Sequence, residues 1–244
     1  MPHIDSSLVA TLAPSGVLRA AINFGNPVLA QRAPGSDEAR GVTPAIAREL
    51  ARRLGVPLAL VPFAQAGEVF AAIARDAWDV AFLAVDPKRA QEIEFTPPYV
   101  IIEGGYAVRR DSPLQAIADV DRTGVRIAVT ANSAYDLYLT RTLASAQIVR
   151  APTNDAAIAT FDRERLDVLA GVRAPLATLA TARGDLRVMD GRFMAIEQAM
   201  GVPKARAAGA AYLRGMLEEL KASGFVAGEL AKSGQHDAKV APPA

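Results

Sequence analysis

The chain has 244 residues, 51% of them hydrophobic and 6% aromatic, and its 27 basic and 26 acidic residues leave a formal charge of +1. That balance gives no electrostatic case for nucleic acid or an anionic membrane surface, and no apolar run approaches the roughly 18–20 residues that span a bilayer. With no cysteine and only His3 and His236, disulfides, thiolate chemistry, a histidine-based triad and a zinc site drop out.

The start, "MPHIDSSLVATLAPSG", has no basic segment followed by an apolar one, so no secretory leader is expected in it. "GVLRAAINFGNP" predicts a strand over Val17–Ile22 that ends in a Gly/Asn/Pro loop, and "APGSDEARG" is polar and turn-rich. Thr43 is the expected cap of a helix with Pro44 at its first position. Ile46, Leu50 and Leu54 recur at helical spacing there until Gly55 stops it. "PLALVPF" predicts a strand and "GEVFAAIARD" a helix. "WDVAFLAV" is a nearly continuous apolar strand, as in a parallel sheet covered on both faces, with Trp78 in the core. The order is that of an α/β sheet.

The stretch "VDPKRAQEIEFTPPYV" follows. Asp86 suits a helix cap and Pro87 the first helical position, which puts Arg89 in the first turn. The positive end of a helix favours an acid, so a cation there calls for an anion, either a neighbouring side chain or a ligand. "GGYAVRR" and "RFMAIEQAMGV" predict strands that cross between two lobes. Between them, "GVRIAV", "AQIVRA" and "LDVLAGV" alternate with helices at "SAYDLYLTRTLA", "NDAAIATFDRER" and "APLATLATA". Two further helices, "AAGAAYLRGMLEELKAS" and "VAGELAKS", precede a tail, "QHDAKVAPPA", expected to fray and to be clipped by protease after Ser233.

These segments resemble the family-three extracytoplasmic solute-binding proteins, the amino-acid-type receptors of bacterial ABC importers. "GVTPAIARELARRLGVPLALVPF", "WDVAFLAVDPKRAQEIEFTPPY", "GVRIAVTANSAYDLYL" and "RERLDVLAG" carry the likeness over nearly the whole chain. The resemblance implies an α/β, two-lobed periplasmic-binding-protein-like fold of type II with a ligand cleft between lobes. One lobe would comprise 1–104 and 196–244, the other 105–195. It also implies a monomer, a small carboxylate-bearing ligand, a permease partner and a periplasmic location. A cytoplasmic or orphan ligand-binding domain is the other reading of a chain with no visible leader.

Arg89 matches the family arginine that pairs with a ligand carboxylate, and a guanidinium fork fits that role; the alternative is a salt bridge to Glu92 or Glu94. Asn132 and Ser133 stand at the family's helix-opening Gly-Thr positions, where amides could hold an anion, although Ser133 is also a plain N-cap. Phe24 and Asn26 fall where the family sets an aromatic platform, and Phe24 is equally placeable in the core. Glu103 and Gln198 lie on the crossings and would touch ligand or set hinge geometry, while Tyr99 is expected to pack behind the site.

Two departures from the family pattern matter. Val172 stands where the family has the aspartate that holds an α-amino group, and Arg173 beside it is a second cation for the cleft or a solvated surface residue. The segment from Asp79 to Arg89 is also about two residues short of the usual family spacing. Both departures imply a ligand that is not an ordinary α-amino acid. An enzyme on the same scaffold, resembling the cyclohexadienyl dehydratases, is the alternative, with Arg89 and Arg173 for two carboxylates and Glu103 or Glu197 as general acid. No nucleotide motif is present, and neither cofactor nor metal is expected.

Overall fold

The computed structural model describes residues 5–33 and 35–244. His3, the first residues of the chain expected to lack a leader, and Pro34 of the turn-rich stretch lie outside the described residues. In chain order the elements are α1 (Ser6–Leu12), β1 (Leu18–Asn23), β2 (Gln31–Arg32), β3 (Ala39–Arg40), α2 (Val42–Leu54), β4 (Leu58–Phe63), α3 (Ala66–Ala71), β5 (Val80–Ala84), β6 (Ile93–Arg109) and β7 (Arg126–Thr130). They continue with α4 (Ala134–Thr142), β8 (Gln147–Ala151), α5 (Asn154–Arg163), β9 (Val168–Val172), α6 (Arg173–Arg183), β10 (Leu186–Val188), β11 (Met194–Pro203), α7 (Ala210–Ala222), α8 (Phe225–Lys232) and β12 (Lys239–Val240). The chain divides into two compact units, Met1–Ile101 with Glu197–Ala244, and Ile102–Ile196.

In the first unit β1 pairs in parallel with β4 on one side and β5 on the other, and β11 runs antiparallel along β5. Every residue of β5 is buried, as a strand covered on both faces requires. α2 buries Ile46, Leu50 and Leu54 and ends where Gly55 turns left-handed, its N–H donating to the Ala51 and Arg52 carbonyls. Trp78 is buried, its Nε1–H donating to the Val69 carbonyl at 2.9 Å, and it packs with Val69, Leu83 and Ile93. Tyr99 is buried too, with its hydroxyl 3.2 Å from that of Thr43 and its ring edge-on to Phe82.

The second unit is a sheet of β8, β7 and β9 in parallel, with β6 antiparallel to β9 and β10 antiparallel to β6. Alternation sorts its core: Ile127, Val129, Val168 and Ala170 pack in one cluster, while Ala128 and Leu169 pack in another. Successive strand residues point to opposite faces, so helices must cover both.

Three expectations need correction. Thr43 does not cap α2: the helix starts at Val42 with Gly41 as its cap, which leaves the Thr43 hydroxyl for Tyr99. The Asp86-Pro87 start opens only a turn of 3-10 helix, Arg89–Gln91, although the Asp86 carboxylate does accept the Lys88 N–H at 2.9 Å. The tail is not frayed. Lys239 and Val240 pair with Ile101 and Val100, the Ala241 N–H donates to the Tyr99 carbonyl, and Lys221 Nζ donates to the Pro242 carbonyl at 2.8 Å. Paired backbone and a buried Ala241 make this segment part of the first unit.

Candidate functional site

In the first unit, candidate residues gather at the carboxyl ends of β1 and β5. The β1–β5 register runs through Ala21 and Ala81, so three residues further on Phe24 is level with Ala84. On the other side Ala84 pairs with Gln198 of β11. Arg89 returns to the same level, its Nη1 donating to the Ala84 carbonyl at 3.0 Å. Phe24, Arg89 and Gln198 therefore converge around Ala84.

Arg89 is only 1% exposed. Burial pulls its pKa down to about 10, and the charge of Asp86 acts in the opposite direction. A guanidinium in that setting gains more from a carboxylate than one in water does, because low polarity strengthens the attraction. Asn26 is buried, and its side chain is occupied locally, Oδ1 accepting the Val28 N–H at 3.3 Å. Gly25 lets this loop lie against the next strand's exit: a Cβ there would stand 2.4 Å from the Ala64 carbonyl oxygen. Only glycine permits that approach, and it fixes Phe24 and Asn26 on either side.

In the second unit the register between β7 and β9 runs through Ala128 and Leu169; four residues on, Asn132 is level with Arg173. Ser133 caps α4, its Oγ accepting the Asp136 N–H at 3.0 Å. The Asp136 carboxylate already lies at the positive end of this helix. It accepts the Asn132 N–H at 2.7 Å and Arg150 Nε at 2.9 Å. The helix thus supplies its own first-turn acid, the arrangement its dipole favours.

Arg173 donates from Nη1 to the carbonyls of Met189 and Gly191, both at 2.6 Å. Its Nε stands 3.9 Å from Glu103, with both side chains 33% exposed. Glu103 in turn accepts from Arg192 Nη1 at 3.2 Å. Gly104 makes room for this segment, since a Cβ there would come within 2.7 Å of Met194 and 2.9 Å of Phe193. Glu103 and Arg173 are thus brought together, alongside the Asn132–Ser133 corner.

Several residues escaped the sequence reading. Arg32 lies over the Phe24 ring, 4.4 Å from its centroid. Arg192 reaches Glu103 from 89 residues away, and nothing local signals that. Asp136 was findable: an acid three residues after a Ser cap is the sequence mark of a capping box. Among the described residues no group of His, Cys, Asp or Glu could hold a metal ion.

The sequence pattern of the bacterial extracellular solute-binding proteins, family 3, matches residues 21–233, and the chain belongs to that family. It is thus a solute-binding receptor of the family-3 type, in a family made mainly of binding proteins. Solved structures of the two-lobed kind share its fold. A solute receptor for L-cysteine of Neisseria gonorrhoeae superposes with a TM-score of 0.79 at 20% identity, over 92% of each chain. A mutant of ArgBP from T. maritima gives 0.78 at 21% identity, over 94% of this chain and 100% of that one. An ancestral amino acid-binding protein, a precursor of cyclohexadienyl dehydratase, gives 0.75 at 19% identity, over 92% and 98%. No curated protein sequence matches. No helix among the described residues is long and apolar enough to cross a membrane.

Proposed function

We propose that the chain is the receptor of an ABC importer for a small carboxylate that is not an ordinary α-amino acid. Its two compact units would be the two lobes, with binding groups contributed by both. Arg89, Phe24, Asn26 and Gln198 would serve from the first, and Asn132, Ser133, Glu103 and Arg173 from the second. The protein would act outside the cytoplasm, as the family description suggests, and as a monomer.

The observation that carries this reading is the buried Arg89 at the carboxyl end of β5, the end of an open α/β sheet where ligands collect. Its planar fork matches a carboxylate. Against an α-amino acid stands Val172, an apolar side chain where the family has an ammonium-binding aspartate. Glu103, next to the Gly104 that pairs with Val172, is engaged by Arg192. Placing an ammonium beside Arg173 and Arg192 would add like-charge repulsion, and an ammonium buried without its own acid costs several kcal/mol. Receptor rather than dehydratase is the reading favoured by the family's composition, and the dehydratase precursor among the similar structures is itself an amino acid-binding protein.

Titration calorimetry against a panel of small organic acids and amino acids tests the proposal. A binder among the acids, lost in Arg89→Ala, is expected. A panel in which only amino acids bind, or in which the variant binds as well as the parent, would overturn it.

A further inference from the structure

The chain passes between its two units twice, along β6 at Ile101–Ile102 and along β11 at Ile196–Glu197. On the first unit's side, β11 is held by a strand of the sheet. The Glu197 carbonyl accepts the Val85 N–H at 2.9 Å, and Gln198 pairs with Ala84 of β5. For β6 the carboxyl-terminal tail takes that part. Val240 pairs with Val100 and Lys239 with Ile101, the last residue before the boundary, and the Ala241 N–H donates to the Tyr99 carbonyl at 3.1 Å. Lys221, its side chain 5% exposed, reaches from α7 to both: its Nζ lies 3.4 Å from the Pro98 carbonyl and 2.8 Å from the Pro242 carbonyl. On the second unit's side β6 is paired again from Gly104, with Val172 of β9. Between these two sets of pairs stand only Ile102 and Glu103.

We propose that the tail is a splint on this crossing, which confines bending of β6 to Ile102–Glu103 and so limits how far the two units move against each other. Bending a paired strand breaks its hydrogen bonds, whereas a short unpaired link bends through changes in φ and ψ alone. Without the tail, the bend would spread over Tyr99–Glu103, five residues in place of two. More of the unliganded receptor would then lie in arrangements that cannot hold a solute, and apparent affinity falls in proportion to the competent fraction. The inference goes beyond the carboxylate reading and holds for whichever solute binds.

The test needs no solute. The chain has no cysteine, so Ala71→Cys on α3 and Ala177→Cys on α6, both exposed positions, place one spin label on each unit. Label-to-label distance distributions are measured by pulsed electron resonance for the full chain, for Ala241→Pro, which removes the N–H donated to Tyr99, and for a chain ending at Asp237. Thr43→Val is the control. It removes the hydroxyl facing Tyr99 in the same unit and leaves the tail's pairing in place, so it lowers Tm without touching the splint. The tail variants should widen the distribution on the order of 1.5-fold, as a bendable run growing from two residues to five gives when spread follows the square root of length. Thr43→Val should keep the parent's width. If the shortened chain does not fold, Ala241→Pro decides alone. An unchanged width in the folded tail variants, or equal widening in Thr43→Val, overturns the proposal and leaves the tail a stabilising segment only. Neither result bears on the carboxylate reading, which calorimetry tests separately.

Discussion

Arg89 in the first unit and Arg173 in the second each follow a buried strand, and each donates from Nη1 to main-chain carbonyls. Their settings differ. Arg89 is enclosed, and burial depresses its pKa to about 10. Arg173 is one-third exposed, with Glu103 at 3.9 Å and water available. Desolvation decides what each cation is worth to an arriving anion. In the buried setting attraction to a carboxylate is strong and little screened; at the rim water already solvates the charge, and an added ion pair contributes about 0–1 kcal/mol. On the proposed reading the same residue type would receive a ligand's charge strongly in one unit and only weakly in the other, where it also holds the Met189 and Gly191 carbonyls.

The largest expected effect is at Arg89. Arg89→Ala should weaken carboxylate binding by about 1.5–3 kcal/mol or more, roughly ten- to more than a hundredfold, as measured by calorimetry. Arg89→Lys should recover only part of that loss, because an ammonium cannot form the two-pronged contact. If Arg173→Ala weakens binding as severely as Arg89→Ala, the contrast between the two arginines is broken.

Next comes the tail. Ending the chain after Ser233 removes β12 and the Pro242 carbonyl from Lys221, whose side chain is nearly buried. About three lost hydrogen bonds at about 1 kcal/mol each should lower Tm by about 6–12 °C. Hydrogen exchange should rise at Tyr99–Ile101 and not in the sheet of the second unit. Rapid proteolysis of the tail in the intact protein would contradict its docking.

Arg173→Ala should be milder, about 1 kcal/mol of stability through the two lost carbonyl contacts, read as faster exchange at Met189–Gly191, with a loss of ligand affinity of at most about 1 kcal/mol, well below that of Arg89→Ala.

The smallest effect is electrostatic. Hydrogen bonds from Arg52 and Arg53 on α2, with burial opposing them, hold the Glu49 carboxyl down at about 2. A carboxyl lowered in the folded state adds stability above its ordinary value near 4.5, and that stability is lost as pH falls toward 2. Glu49→Gln should flatten that part of the acid stability profile, by a few tenths of a kcal/mol as is usual for helix-surface pairs. An unaltered profile would show that these pairs contribute nothing.

What could be read in the sequence followed from how local each signal is. The apolar run of β5, the helical spacing of Ile46, Leu50 and Leu54, and the Gly55 stop are short-range patterns, and all three are realised. α1 was not foreseen: seven residues after Asp5 are too short for periodicity to register. β12 was read as a loose end because two residues pairing with a strand some 140 positions away leave no local trace. Ser133 was legible as a cap and Asp136 as the acid three residues on, but Arg150, which completes their corner, depends on β8 lying beside β7. For the same reason the level arrangement of Phe24, Ala84 and Gln198 is a product of register that no local stretch encodes.

The most direct test of the central claim compares 4-methylpentanoate with leucine, which carries the same branched body with an α-amino group added. Both are titrated into the full chain at low and moderate salt. The absence of an ammonium-binding acid at Val172, together with the arginines around Glu103, predicts the carboxylate to bind at least tenfold more tightly, about 1.4 kcal/mol. Leucine binding tighter by that margin would contradict the account and identify another acid, with Glu103 the first to mutate, as the ammonium's partner.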